Sequence, residues 1–245
     1  LKEGVGPEEI ERREQRYVQQ AMTRFTDSKN IEILGPDDRD RLAIFSLRFR
    51  HQKRDLHYGF VVALLNDLFG IQARGGCSCA GPYGHHLLNL GRDGSRALDA
   101  QILAGNTALR PGWVRLSFNY FISDAEFNYL IQALELVAEF GWRLLPAYQL
   151  DATTGLWRHR DGIAALPVTL DPLDTADTAA SCSLPVPPFA QLLKEAQSIL
   201  EAGAAKHHHA ASLSDARLST DAEALRWFAL PVDVAICDER AKLAI

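Results

Sequence analysis

The sequence predicts an α+β fold: a small sheet covered by helices, followed by an irregular and helical C-terminal extension. Three observations point there. Across residues 1–150 the apolar spacing alternates between helical and strand periods, in the order α-β-β-α-β-α-β-α. The β-prone runs are short, and glycine or proline sits beside most of them. The 245 residues, 47% hydrophobic and 23% charged, suffice for one or two domains and one sizeable core. After residue 150 the character changes. Residues 151–183 are rich in Asp, Thr, Ala and Pro, and Pro185, Pro187 and Pro188 form a further breaker cluster. The expected division is a compact unit over 1–150 and a partly disordered extension over 151–245.

Each element follows from local chemistry. Pro7 suits the first turn of a helix, glutamates follow it, and Ile10, Tyr17, Val18, Ala21 and Phe25 recur near helical spacing, so 7–25 is a helix. Residues 31–34 alternate and stop at Gly35-Pro36, which marks a strand. The run 42–49 is a second strand. Residues 56–69 form an amphipathic to buried helix closed by Gly70. A short strand over 70–73 then leads into a glycine-rich turn. Residues 85–103 carry helix at both ends around Gly91 and Gly94, and Pro111-Gly112 introduces a strand over 113–120. Ser123 and Glu126 fit a capping box that opens a helix to about Phe140. Two later helices are expected, over 189–202 and 221–230.

The net charge of −5 gives no electrostatic footprint for nucleic acid. The longest apolar run, 59–65, is soon interrupted by Asn66 and Asp67, so no membrane partner is expected. The first residues, Leu-Lys-Glu-Gly, lack the apolar core of a signal peptide. They also lack an initiator methionine, and Met22 is the sole methionine, which suggests a processed product or a fragment. Four cysteines, at 77, 79, 182 and 237, are too few and too unevenly spaced for a disulfide framework, so a cytoplasmic location with reduced thiols is expected.

The glycine-rich turn over 74–82 carries the most chemistry. Cys79 is the candidate nucleophile, because a nearby cation and the turn's backbone N–H groups favour a thiolate, and Arg74 lies five residues before it. A buried packing thiol is the plain alternative. Cys77, Cys79, His85 and His86 also raise a zinc site, but Cys-x-Cys is not the common zinc spacing and adjacent helical histidines point about 100° apart; no metal is expected. Arg115, between apolar neighbours, is either a carboxylate clamp or an outward residue on an edge strand. His57 and Tyr58 are expected to cap and pack, and His207–His209 to be a solvated tract.

The run Arg74-x-Gly76-x-x-Cys79-Ala80-x-Pro82 resembles the active-cysteine segment of the type II cysteine desulfurases and selenocysteine lyases, which are class V aminotransferases dependent on pyridoxal phosphate. Trp113-Val-Arg115-Leu-Ser117, then Tyr120 and Ser123-Asp-Ala-Glu126, resembles their C-terminal strand and helix. The resemblance covers roughly residues 3–145. It implies the C-terminal small domain of a fold type I pyridoxal-phosphate transferase, acting on a small amino acid and forming a homodimer. Cys79 matches the sulfur-accepting nucleophile, Arg115 the substrate-carboxylate clamp, and Arg74 the arginine that opens the cysteine segment. In desulfurases the thiolate attacks the substrate sulfur while the cofactor serves as electron sink. Cys77 and Ser78 stand where the family carries two histidines, and the stretch from Cys79 to Arg115 is longer than in type II desulfurases. None of Lys2, Lys29, Lys53, Lys194, Lys206 or Lys242 has the family's Ser/His-Lys setting, so the Schiff-base lysine is expected in an upstream part of a longer parent. The alternative is a truncated, non-catalytic binding or sulfur-carrier domain.

Overall fold

The computed structural model describes residues 2–77, 81–162, 187–203 and 218–234. Helix α1 (Lys2–Val5) leads into α2 (Pro7–Asp27), whose Tyr17, Val18, Ala21, Met22 and Phe25 form one buried stripe. Strand β1 (Ile31–Ile33) is followed by β2 (Ile44–His51), a turn at Gln52 and Lys53, and β3 (Arg54–Leu56). Helix α3 (Tyr58–Phe69) ends on Gly70, whose φ of 65° is the left-handed geometry glycine adopts cheaply. Strand β4 (Arg74–Gly76), α4 (Gly81–Leu87) and α5 (Arg92–Leu103) lead to β5 (Trp113–Ser117). Helix α6 (Asp124–Phe140) starts with both halves of the Ser123–Glu126 capping box in place. A hairpin of β6 (Tyr148–Asp151) and β7 (Leu156–His159), helix α7 (Phe189–Ala202) and the short α8 (Thr220–Ala224) follow.

The main sheet is antiparallel throughout, in the order β1-β2-β5-β4, with β3 also paired to β2. Phe45, Leu47 and Phe49 of β2 and Val114 and Leu116 of β5 point to one face and are buried there, beside apolar residues of α2, α3 and α6 such as Val18, Leu64 and Leu134. This mixture of helices and small antiparallel sheets is the predicted α+β architecture. No described helix is long and apolar enough to cross a membrane.

Four local expectations are corrected. The strand expected at 70–73 lies at Arg74–Gly76, because the backbone that pairs with β5 is that of the glycines themselves. The helix expected from 56 begins at Tyr58, since Leu56 pairs with Phe49 in the sheet. The strand expected to reach 120 ends at Ser117, where pairing with β2 stops. The helix expected over 221–230 is only Thr220–Ala224. Beyond it the chain extends along β3: Asp55 N donates to Trp227 O at 3.1 Å, and Ala229 N donates to Asp55 O at 2.8 Å. Arg226 holds this strap in shape, donating to Phe228 O at 2.6 Å and pairing with Glu223 and Asp233. Phe228 and Trp227 close it onto the buried His57 ring.

The expected boundary at 150/151 falls within β6, and the described parts beyond it join the same core. Trp157, Ala196, Leu200, Ala222, Phe228 and Val234 belong to the hydrophobic cluster that contains the sheet.

Candidate ligand-binding face

Gly75 faces α3: a Cβ placed on it would meet Val62 Cγ2 at 3.0 Å and Tyr58 Cδ2 at 3.1 Å. Strand alternation therefore sends its neighbour Arg74 to the opposite side of the sheet. Arg115, flanked by the buried Val114 and Leu116, points the same way. The register sets Arg74 directly across from Arg115, and Arg115 directly across from Ser46 of β2. Arg115 thus sits on an interior strand, between β2 and β4, rather than on the edge strand its plain alternative assumed.

Two guanidinium groups opposite each other in a strand pair repel, at a cost of a few tenths to about 1 kcal/mol. Neither arginine makes a side-chain hydrogen bond or ion pair among the described residues. The same face shows what a satisfied arginine looks like. Arg48 Nε donates to Asp55 Oδ2 at 2.8 Å, Arg50 lies 3.0 Å from Asp55 Oδ1, and Glu32 lies 3.5 Å from both arginines. Burial raises the Asp55 pKa even against these cations. Among the described residues Arg74 and Arg115 have no such carboxylate.

Strand β4, which leads into the cysteine turn, is set by tight glycine packing. Gly112 lies against Gly76 and the Tyr58 ring, and Gly75 against Tyr58 and Val62, so Tyr58 is clasped by the strand it precedes. Tyr58 also lies 4.2 Å from the His57 ring and 6.0 Å from Trp227, centroid to centroid. Burial raises its hydroxyl pKa, the charge of Arg110 opposes that rise, and Cys77 adds to it. As expected, His57 caps: its Nδ1 accepts from Gly59 N at 3.0 Å, which leaves Nε2 to donate to Ala108 O at 3.1 Å. Its complete burial lowers its pKa to about 3, so it is neutral and structural.

Cys77, at the end of β4, is an exposed free thiol. It lines a pocket of about 220 Å³ together with His85, Asp99, Arg110 and Trp113. Helix α4 packs on Trp113 at Gly84, where an added Cβ would meet the ring at 3.5 Å. Trp113 is two residues from Arg115 and on the same face of the sheet, so the pocket and the arginine pair are neighbours, roughly 7 Å apart along the strand. The turn's spacing pointed to Cys79 but not to Asp99 or Arg110, whose only signal was Arg110's place just before Pro111-Gly112. Cys79 itself lies outside the described residues, as do His207–His209, Lys206 and Lys242. A larger groove of about 850 Å³ runs between the start of α2 and residues 119–121, away from these side chains.

Among the described residues no group of three or more His, Cys, Asp or Glu is placed to hold a metal ion. The described residues also do not by themselves fit pyridoxal phosphate. Its Schiff base needs a lysine in a sheltered site, and Lys2, Lys29, Lys53 and Lys194 are all exposed. Compared with family models and with curated proteins, the chain matches none.

Proposed function

We propose that this chain is the C-terminal small-domain portion of a pyridoxal-phosphate-dependent class V-fold enzyme, an aminotransferase or a cysteine desulfurase-like protein, acting on a small amino acid. Arg115, aided by Arg74, binds the substrate carboxylate. One observation carries this reading: two guanidiniums lie opposite each other on one sheet face without a carboxylate partner among the described residues. A bound carboxylate removes their repulsion and accepts two charge-assisted hydrogen bonds from either fork. The face also adjoins Gly76 and Cys77, which in sequence lead into the segment that carries Cys79, the proposed sulfur acceptor. In this reading the cofactor and its lysine belong to the parent outside these residues, and the parent is a homodimer.

The test is steady-state kinetics on the full-length parent. Arg115→Ala is expected to raise KM for the amino-acid substrate by 10-fold or more, on the order of the loss of one charged hydrogen-bond pair. An unchanged KM sinks the carboxylate role. Cys79→Ser separates the reactions: loss of sulfide release from cysteine supports desulfuration, and surviving activity on a sulfur-free amino acid favours transamination or elimination. The exposed position of every described lysine favours one second reading, a non-catalytic sulfur-carrier domain. Persulfide on Cys79 from a separate donor, formed without pyridoxal phosphate, supports it.

A further inference from the structure

The pocket beside Cys77 presents one charge of each sign. Arg110 and Asp99 both line it, both are exposed, and they make no ion pair with each other. Among the described residues neither side chain has a hydrogen-bonding or ion-pair partner. The third polar wall is fixed instead: His85 Nδ1 lies 3.0 Å from Ser95 Oγ, so α5 holds the ring of a residue on α4. The Trp113 ring supplies an apolar wall and Cys77 a thiol. The volume of about 220 Å³ is below the roughly 300–1,000 Å³ of pockets that take drug-sized ligands.

We infer that this pocket is a second, separate ligand site that binds a small zwitterion, namely a free α-amino acid with a short uncharged side chain. A guanidinium and a carboxylate that share a pocket without touching are both satisfied by a molecule carrying a carboxylate and an ammonium group. A simple anion satisfies Arg110 and leaves Asp99 unpaired; a simple cation does the reverse. Arg110 takes the ligand carboxylate and Asp99 its ammonium, while the space toward Trp113 and Cys77 admits only a short side chain. The site differs from the one proposed at Arg115, which supplies two cations and no anion, and it does not depend on that proposal. Both charged walls are exposed to water, which weakens each contact, so the expected dissociation constant is on the order of 1 mM.

The experiment is titration of the 245-residue chain with L-alanine, followed by protein NMR shifts, with acetate and methylammonium as single-charge probes. L-Alanine is expected to saturate, and each single-charge probe to bind about tenfold more weakly or worse. Asp99→Asn and Arg110→Gln are each expected to weaken L-alanine about tenfold, with the rest of the spectrum unchanged because both side chains are exposed. Arg115→Ala is expected to leave the affinity where it was. The inference is overturned if L-alanine does not saturate, if acetate binds as tightly, or if both pocket variants bind like the parent chain. Loss of binding in Arg115→Ala but not in Asp99→Asn also overturns it, and places the amino acid at the sheet arginines of the proposed substrate site.

Discussion

Gly112→Ala probes the packing that sets β4. The added Cβ would fall 2.6 Å from the carbonyl carbon of Gly76, 2.8 Å from its Cα and 2.7 Å from Tyr58 Cε1. Carbon atoms pack favourably at about 3.5–4.0 Å, so each contact is short by roughly 1 Å. Neither neighbour yields easily. Gly76 is backbone in a strand paired to β5, and the Tyr58 ring is backed by His57 and Trp227. Overpacking of this kind costs about 1–3 kcal/mol, and backbone on one side puts Gly112→Ala at the upper end. Relief requires β4 to move away from residue 112, which carries Cys77 with it. Urea unfolding of the whole chain measures the cost. Gly94→Ala in α5 is the control, because nothing lies within 4 Å of a Cβ there and helix propensity favours alanine by up to about 1 kcal/mol. Combining Gly112→Ala with Tyr58→Leu should recover only part of the loss, since the Gly76 contact remains. A Gly112→Ala chain within about 0.5 kcal/mol of the parent would falsify this account.

Three further outcomes are expected. His57 is neutral in the fold down to about pH 3 but charges near pH 6.5 when unfolded, so the unfolded chain binds the extra proton. Its contribution is therefore full above pH 6.5 and is lost as pH falls toward 3, by at most about 1.4 kcal/mol per pH unit. Asp55, whose pKa is raised in the fold, acts in the opposite sense, favouring the fold as pH falls through its range. His57→Asn keeps a capping side chain and removes the titration; urea midpoints between pH 4 and 8 should flatten, and an unchanged slope would assign the pH dependence elsewhere. Phe228→Ala empties a fully buried site against His57 and should cost about 3–5 kcal/mol by urea unfolding, whereas a loss below 1 kcal/mol would mean that the strap is not part of the cooperative fold. Ser123→Ala removes the side-chain acceptor for Glu126 N in the α6 capping box, leaves the backbone N–H of residue 123 to donate to Glu126, and should cost about 1 kcal/mol, with thermal unfolding as the readout and an unchanged midpoint as the contrary result.

The sequence alone determined what depends on residues a few positions apart. Pro7 opening α2, Gly70 closing α3, the Ser123–Glu126 box and the bounds of α7 all rest on contacts within one or two helical turns, and each could be read from spacing. It also marked Arg74, Arg115 and the cysteine turn as the chemically unusual part of the chain. Only the tertiary structure decided how those parts face. That Arg74 stands opposite Arg115 is a matter of register between strands separated by two helices, and no local pattern encodes it. The strap at 226–229 has helical spacing but pairs with β3, because burying Trp227 and Phe228 on His57 outweighs the small propensity difference between helix and extended chain. Asp99 and Arg110 look like ordinary surface charges in sequence, and they meet at one pocket only once α4, α5 and β5 have packed together.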